Sequence, residues 1–261
     1  MSSFTVRQSI EAMEEYAVES VAADIIVNAN ESNYPLPQEI AEKITQRTAR
    51  FPFNRYPPIK SENLCEVIAK ELDVDIDCVK IGNGSSELLE KACYVFGGPG
   101  KKIAVPWPSF SMYGEYAALS DSEEVRYPLT AEGFVDADSV ISFCKEQQPS
   151  LLIVCNPNNP TGTYVPIGEL EAFADTLPED VLLVMDEAYM EFATEPDCCS
   201  MVDYMKAHLE KPILVLRTFS KYYAMAGLRV GYALGSEELI GIMRKCSASW
   251  NLNVCAQKAA E

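Results

Sequence analysis

Histidine is almost absent: His208 is the only one in 261 residues. That excludes a multi-histidine metal centre and leaves no spare imidazole for a histidine-based triad. His208 itself, between Ala207 and Leu209, reads as a surface or half-buried helix residue. Cations are scarce too. Lysine and arginine number 21 against 39 aspartates and glutamates, a formal net charge of −18. Such acidity repels phosphate backbones and anionic lipid, so neither nucleic acid nor membrane is an expected partner, whereas a local cluster of donors still admits one small anion. No apolar run approaches the roughly 20 residues of a membrane-spanning helix. Cys-x-x-Cys spacing is missing. The nine cysteines are scattered, and Cys198-Cys199 is merely a vicinal pair. An odd count without a secretory leader indicates reduced thiols in a cytoplasmic protein. The opening residues carry Glu11, Glu14, Glu15 and Glu19, unlike a transit peptide.

Two glycine-rich stretches lack what a nucleotide fingerprint needs. Gly82-x-Gly84 reaches Glu87 where a dinucleotide motif requires glycine, and Gly100-Lys101 is followed by Lys102 where a phosphate loop requires Ser or Thr. The latter reads as a tight turn before a strand.

What the chain has is an alternation of helix and strand. The first 55 residues read as an arm: a helical stretch near Ile10–Tyr16, the short run Ile25–Val27, then Asn28-Ala29-Asn30-Glu31 and a proline-punctuated loop ending at Asn54-Arg55-Tyr56-Pro57-Pro58. Helices are expected at Glu62–Leu72, Ser85–Tyr94, Ser111–Leu119, Ile167–Asp175 and Ser200–Leu209. Strands are expected at Val79–Ile81, Ile103–Val105, Leu151–Cys155, Val181–Met185 and Ile213–Leu216. Continuous apolarity marks strands buried on both faces, and intervening helices mark parallel crossovers. The expected fold class is therefore α/β, a three-layer sandwich around a mostly parallel sheet, with ligands at the carboxyl ends of the strands. Residues 56–250 form its large domain. Residues 251–261 begin an alanine-containing helix that stops without a cap, which reads as the start of a small C-terminal domain that the chain largely lacks.

Three strands end in chemistry. Cys155 leads into Asn156-Pro157-Asn158-Asn159-Pro160-Thr161-Gly162; Met185 into Asp186-Glu187-Ala188-Tyr189; Leu216 into Arg217-Thr218-Phe219-Ser220-Lys221, with Arg229 eight residues further on. In a parallel sheet these ends share one edge, so Asn159, Asp186, Tyr189 and Lys221 are expected to converge. A lysine flanked by hydroxyls and followed by an arginine suits pyridoxal phosphate (PLP). The amine forms a Schiff base with the aldehyde, and the hydroxyls and guanidinium hold the phosphate. An aspartate pairs with the pyridine nitrogen, and a tyrosine and an asparagine meet the ring hydroxyl.

These motifs, in this order, resemble the fold-type I PLP-dependent aminotransferases of class I/II, most closely the histidinol-phosphate aminotransferase branch. Asn28–Glu31, Arg55-Tyr56-Pro57 and Gly82–Glu87 also resemble segments of that branch. The resemblance implies Lys221 as the Schiff base lysine, Asp186 at the pyridine nitrogen, and Tyr189 and Asn159 at the ring oxygen. It implies Phe110 stacked on the ring face, and Ser85, Ser86, Thr218, Ser220 and Arg229 on the phosphate. Tyr56 would reach the phosphate of a neighbouring subunit, hence a homodimer. The substrates implied are a small-molecule amino donor, histidinol phosphate, and a 2-oxo acid, 2-oxoglutarate. Where the branch has asparagine and proline after its Asn-x-Asn-Glu, this chain has Ser32-Asn33 and delays proline to Pro35. The family's substrate-carboxylate arginine lies in a domain beyond residue 261, so no residue here takes that role. Two other readings stand beside this one: a PLP-dependent decarboxylase of the threonine-phosphate type, and a PLP-binding fragment without activity.

Overall fold

The structure, a computed structural model, describes residues 5–15 and 22–261. Its elements in chain order are α1 (Gln8–Glu11), α2 (Gln38–Ala49), α3 (Glu62–Leu72), β1 (Val79–Asn83), α4 (Ser85–Phe96), β2 (Lys102–Trp107), α5 (Met112–Leu119), β3 (Glu123–Pro128), α6 (Ala137–Gln147) and β4 (Leu151–Cys155). Then follow α7 (Ile167–Thr176), β5 (Leu182–Asp186), α8 (Val202–Ala207), β6 (Ile213–Thr218), β7 (Val230–Leu234), α9 (Glu237–Lys245) and α10 (Val254–Ala260). The helix expected near Ile10–Tyr16 is instead α1, and Tyr16 lies outside the described residues.

One sheet of seven strands runs β1-β7-β6-β5-β4-β2-β3. Pairing is parallel from β6 through β3, and β7 is antiparallel to both β6 and β1. The mostly parallel α/β sandwich is thus present. The central strands β4 and β5 are buried at every residue, as their unbroken apolar runs require. Alternate side chains feed two cores. Leu152, Val154, Leu183, Met185, Ile213 and Val215 pack on one face with α3, α6 and α7. Leu151, Ile153, Leu182, Val184, Leu214 and Leu216 pack on the other with α4, α5 and α9. Each such side chain contributes about 1.5–3 kcal/mol on leaving water.

Two strands are invisible as apolar runs. β3 is an edge strand with a charged sequence, Glu-Glu-Val-Arg-Tyr-Pro, anchored by buried Tyr127, whose hydroxyl donates to the Ile153 carbonyl at 2.7 Å. β7 is split by Gly231. The run Ile25–Val27 forms no strand and is exposed. At the other end α10, capped by the Asn253 side chain, packs against α2 and α3. All nine cysteines are free thiols. His208 terminates α8, its ring stacked on Tyr204. Among the described residues no helix is long and apolar enough to cross a membrane, and no group of metal-ligating side chains is assembled.

Candidate active site

The loops leaving β4, β5 and β6 meet the start of α4 around a cavity of about 750 Å³. Ser85, Ser86, Phe110, Asn159, Asp186, Tyr189, Thr218, Ser220, Lys221 and Arg229 all line it.

The loop after β4 owes its shape to side chains that are not in the cavity. Asn156, fully buried, accepts from the Val165 amide at 2.8 Å. Asn158 donates to Thr161 Oγ1 at 2.8 Å and accepts from Ser109 Oγ at 2.6 Å. These side-chain contacts add to two backbone bonds, Asn158 N–H to the Thr163 carbonyl and Gly162 N–H to the Asn158 carbonyl, both 2.8 Å, and Asn159 is left lining the cavity.

Asp186 ends β5, almost fully buried. Its carboxylate accepts from the Tyr113 hydroxyl at 2.9 Å and the Ala188 amide at 3.2 Å. No cation bonds it. Burial pushes its pKa up, and the two hydrogen bonds only partly offset that. Tyr189, just beyond, has its ring centroid 5.9 Å from Lys221 Nζ. Burial raises the pKa of its phenol.

Lys221 is half-buried, and its ammonium donates to the Ala29 carbonyl at 2.7 Å. Burial lowers its pKa, and the Arg229 charge pushes the same way against Glu31 and Asp186. A larger share of the amine is therefore neutral and nucleophilic near pH 7 than for a surface lysine.

The opposite end of the cavity gathers donors. Helix α4 opens at Ser85 behind Gly84, with no side chain capping its first turn, so free N–H groups and the helix dipole point inward. Gly84 has φ +81°, and a Cβ there would lie 2.6 Å from Arg229 Nη2. Gly231 has a sharper constraint: its Cβ would lie 2.2 Å from the Ser85 amide nitrogen. These two glycines let the helix start, β7 and the guanidinium crowd together. Arg229, itself in the left-handed region at φ 55°, donates to Ser220 Oγ at 3.3 Å. Thr218 Oγ1 donates to the same Ser220 hydroxyl at 3.0 Å.

The family pattern described as Aminotransferase class I and II matches residues 23–261. This chain belongs to the class I and II aminotransferases. A histidinol-phosphate aminotransferase of Rubrobacter xylanophilus is 37% identical over 256 residues, 95% of this chain and 70% of that protein. An aromatic amino acid aminotransferase of Streptomyces avermitilis is 35% identical over 235 residues, 90% of this chain; the chain spans 64% of that relative's length. The crystal structure of histidinol-phosphate aminotransferase from Sinorhizobium meliloti in complex with pyridoxal-5'-phosphate superposes with a TM-score of 0.82 at 26% identity, over 89% of this chain and 62% of that one.

Against that aminotransferase frame, one expected site residue stands apart. Tyr56 does not line the cavity of its own chain; it is exposed and stacks on Trp250, centroids 4.4 Å apart. Sequence reasoning also missed residues that the fold brings in. Tyr113 holds Asp186 from 73 positions away, and its place on α5 gives no local sign of that contact. Asn30 donates to the Tyr189 hydroxyl at 3.0 Å and to Asn159 Oδ1 at 3.4 Å, bridging two expected ring-oxygen partners. Its segment was legible through the resemblance; its contact was not.

Proposed function

We propose that this chain holds PLP in the 750 Å³ cavity and that the whole protein is a PLP-dependent aminotransferase. The observation that carries the reading is the polarity of the cavity. A buried carboxylate without a cation stands in the same space as a half-buried amine, with an uncapped helix start, two serines and an arginine crowded at the far end. That donor set fits an anionic tail, and Asp186 fits a protonated ring nitrogen.

Bound PLP supplies the electron sink that makes an amino acid's α-proton labile. The chain's own residues do the rest. Asp186, whose carboxylate is hydrogen-bonded only by the Tyr113 hydroxyl and the Ala188 amide, would keep the ring nitrogen protonated. Ser85, Ser86, Thr218, Ser220 and Arg229, which line one end of the cavity, would bind the phosphate. Phe110, Asn159 and Tyr189 line the cavity; Phe110 would pack on the ring face, and Asn159 and Tyr189 would orient the ring oxygen. Lys221 Nζ would hold the cofactor and would carry a proton to and from the substrate α carbon.

The finer reading is histidinol phosphate as amino donor with 2-oxoglutarate as acceptor, in the cytoplasm, by a homodimer. The Rubrobacter and Sinorhizobium relatives support the donor. A second donor class, aromatic amino acids, is supported by the Streptomyces relative. Exposed Tyr56, Trp250, Ile25, Ile26 and Val27 are apolar surface that a second subunit would cover, and Tyr56 is free of its own cavity. Free thiols throughout suit a reducing compartment.

The test is a donor screen on the PLP-loaded protein with 2-oxoglutarate. Glutamate formation from histidinol phosphate at least about tenfold more efficient than from phenylalanine or tyrosine, a gap of ~1.4 kcal/mol, supports the first donor. The reverse order assigns the aromatic donor. Carbon dioxide release from a phosphoamino acid without any need for 2-oxoglutarate overturns transamination.

A further inference from the structure

We propose that Glu187 is a positioning residue for the cofactor: it clamps the strand-end turn bearing Asp186 and Tyr189 to the strand-end segment bearing Lys221. The inference rests on the cofactor reading above.

Asp186 and Glu187 are successive carboxylates at one strand end. Asp186 faces the cavity. Glu187 does not line it, yet its side chain has no exposed surface. A buried carboxylate is costly unless every lone pair is engaged. Glu187 accepts from Ser200 Oγ at 2.6 Å, the Met201 amide at 2.8 Å and Arg217 Nε at 3.0 Å. Its own amide donates to the Leu216 carbonyl at 2.9 Å. The turn after β5 is thereby tied to the end of β6 through main chain and side chain at once.

Arg217 makes the tie two-sided. It precedes Thr218 and lies four residues before Lys221. Its Nη1 donates to Glu191 at 3.0 Å, beyond Tyr189 on the same turn. Ala188 and Tyr189 lie between Glu187 and Glu191, and Asp186 immediately precedes Glu187. The cluster is not arranged for stability alone. Two carboxylates share one guanidinium, and the second oxygen of Glu191 is buried without a partner. Both oxygens of Glu187, by contrast, are engaged. The bonds concentrate on the residue that sets the spacing of Asp186, Tyr189 and Lys221.

The experiment compares PLP-loaded wild type with Glu187→Gln and Glu191→Gln. The readouts are the PLP dissociation constant and the visible circular dichroism of bound PLP per unit absorbance, which reports how rigidly the ring is oriented. Both variants remove one carboxylate from the same cluster; Glu191 has a single bond to Arg217, whereas Glu187 binds Arg217, Ser200 and the Met201 amide and pairs its main chain with Leu216. We expect Glu187→Gln to weaken PLP binding about tenfold, the worth of one charge-assisted hydrogen bond, and to lower the dichroism by roughly half. Glu191→Gln should change neither by more than about twofold. Equal effects of the two variants, or no effect of Glu187→Gln, overturn the proposal. Should Glu187→Gln not fold, Ser200→Ala removes the 2.6 Å bond and keeps the ion pair. A reduced dichroism is then expected, and an unchanged one overturns the proposal. A wild type that develops no visible band with PLP overturns instead the cofactor reading on which all this rests.

Discussion

Asp186 is the residue at which stability and chemistry conflict. Its carboxylate sits in low dielectric with two neutral donors and no cation, and burial raises its pKa. A carboxyl whose folded pKa lies above its unfolded value opposes folding at pH values above the unfolded pKa. The penalty grows as pH rises from the ordinary carboxylate range to the raised value, and is constant above it. Asp186→Asn should therefore raise the melting temperature of the PLP-free protein at pH 7 by a few degrees, equivalent to about 1–3 kcal/mol. The gain should vanish below about pH 3, where the carboxyl is protonated in folded and unfolded chains alike. The same variant should weaken PLP binding at pH 7 by about tenfold or more, because the ring nitrogen loses its anion. Calorimetry across pH, with and without PLP, checks both halves. The place of Asp186 at the cavity was legible in the sequence because the apolar run before it ends at the sheet edge where ligands bind. Its partner Tyr113 was not, since a contact across 73 positions leaves no local trace.

At the scale of elements, the anion end of the cavity depends on how closely α4 approaches the sheet. Gly82 and Gly231 face each other across the β1–β7 pair. A Cβ at Gly231 would meet the Ser85 nitrogen at 2.2 Å and the Gly84 carbonyl carbon at 2.6 Å. Both are backbone atoms and cannot rotate away. Gly231→Ala should cost about 1–3 kcal/mol by urea denaturation. It should also weaken PLP binding, because it pushes the helix start away from Arg229. Gly227→Ala, with open space around its Cβ position, is the matched control and should leave PLP binding within about twofold. The element scale also shows what the sequence conceals. Strands β4, β5 and β6 were legible from unbroken apolar runs. β3 was hidden because an edge strand buries one face and carries charge, and β7 because the glycine that admits the helix interrupts the run.

For the molecule as a whole, the net charge of −18 and the anion pocket pull in opposite directions. Beyond a Debye length PLP meets a repulsive field; within the cavity Arg229, the hydroxyls and the helix start reverse it. The association rate should therefore rise, by about twofold or more, as salt increases from roughly 10 to 200 mM, where a positively steered site would slow. Stopped-flow absorbance at several ionic strengths decides the sign. The architecture was legible at this scale, since helix–strand alternation with three polar strand ends already implied one ligand edge. The arm was not. Ile25–Val27 has an apolar run's composition but lies exposed without a strand partner, while the following Asn28–Glu31 lines the cavity.

The most direct measurement is to reduce the PLP-treated protein with borohydride and map the modified peptide by mass spectrometry. A single pyridoxyl group is expected on Lys221, at near-stoichiometric yield and sharply reduced by Asp186→Asn. Label on any other lysine, or a Lys221→Ala protein that labels as fully as wild type, would contradict it.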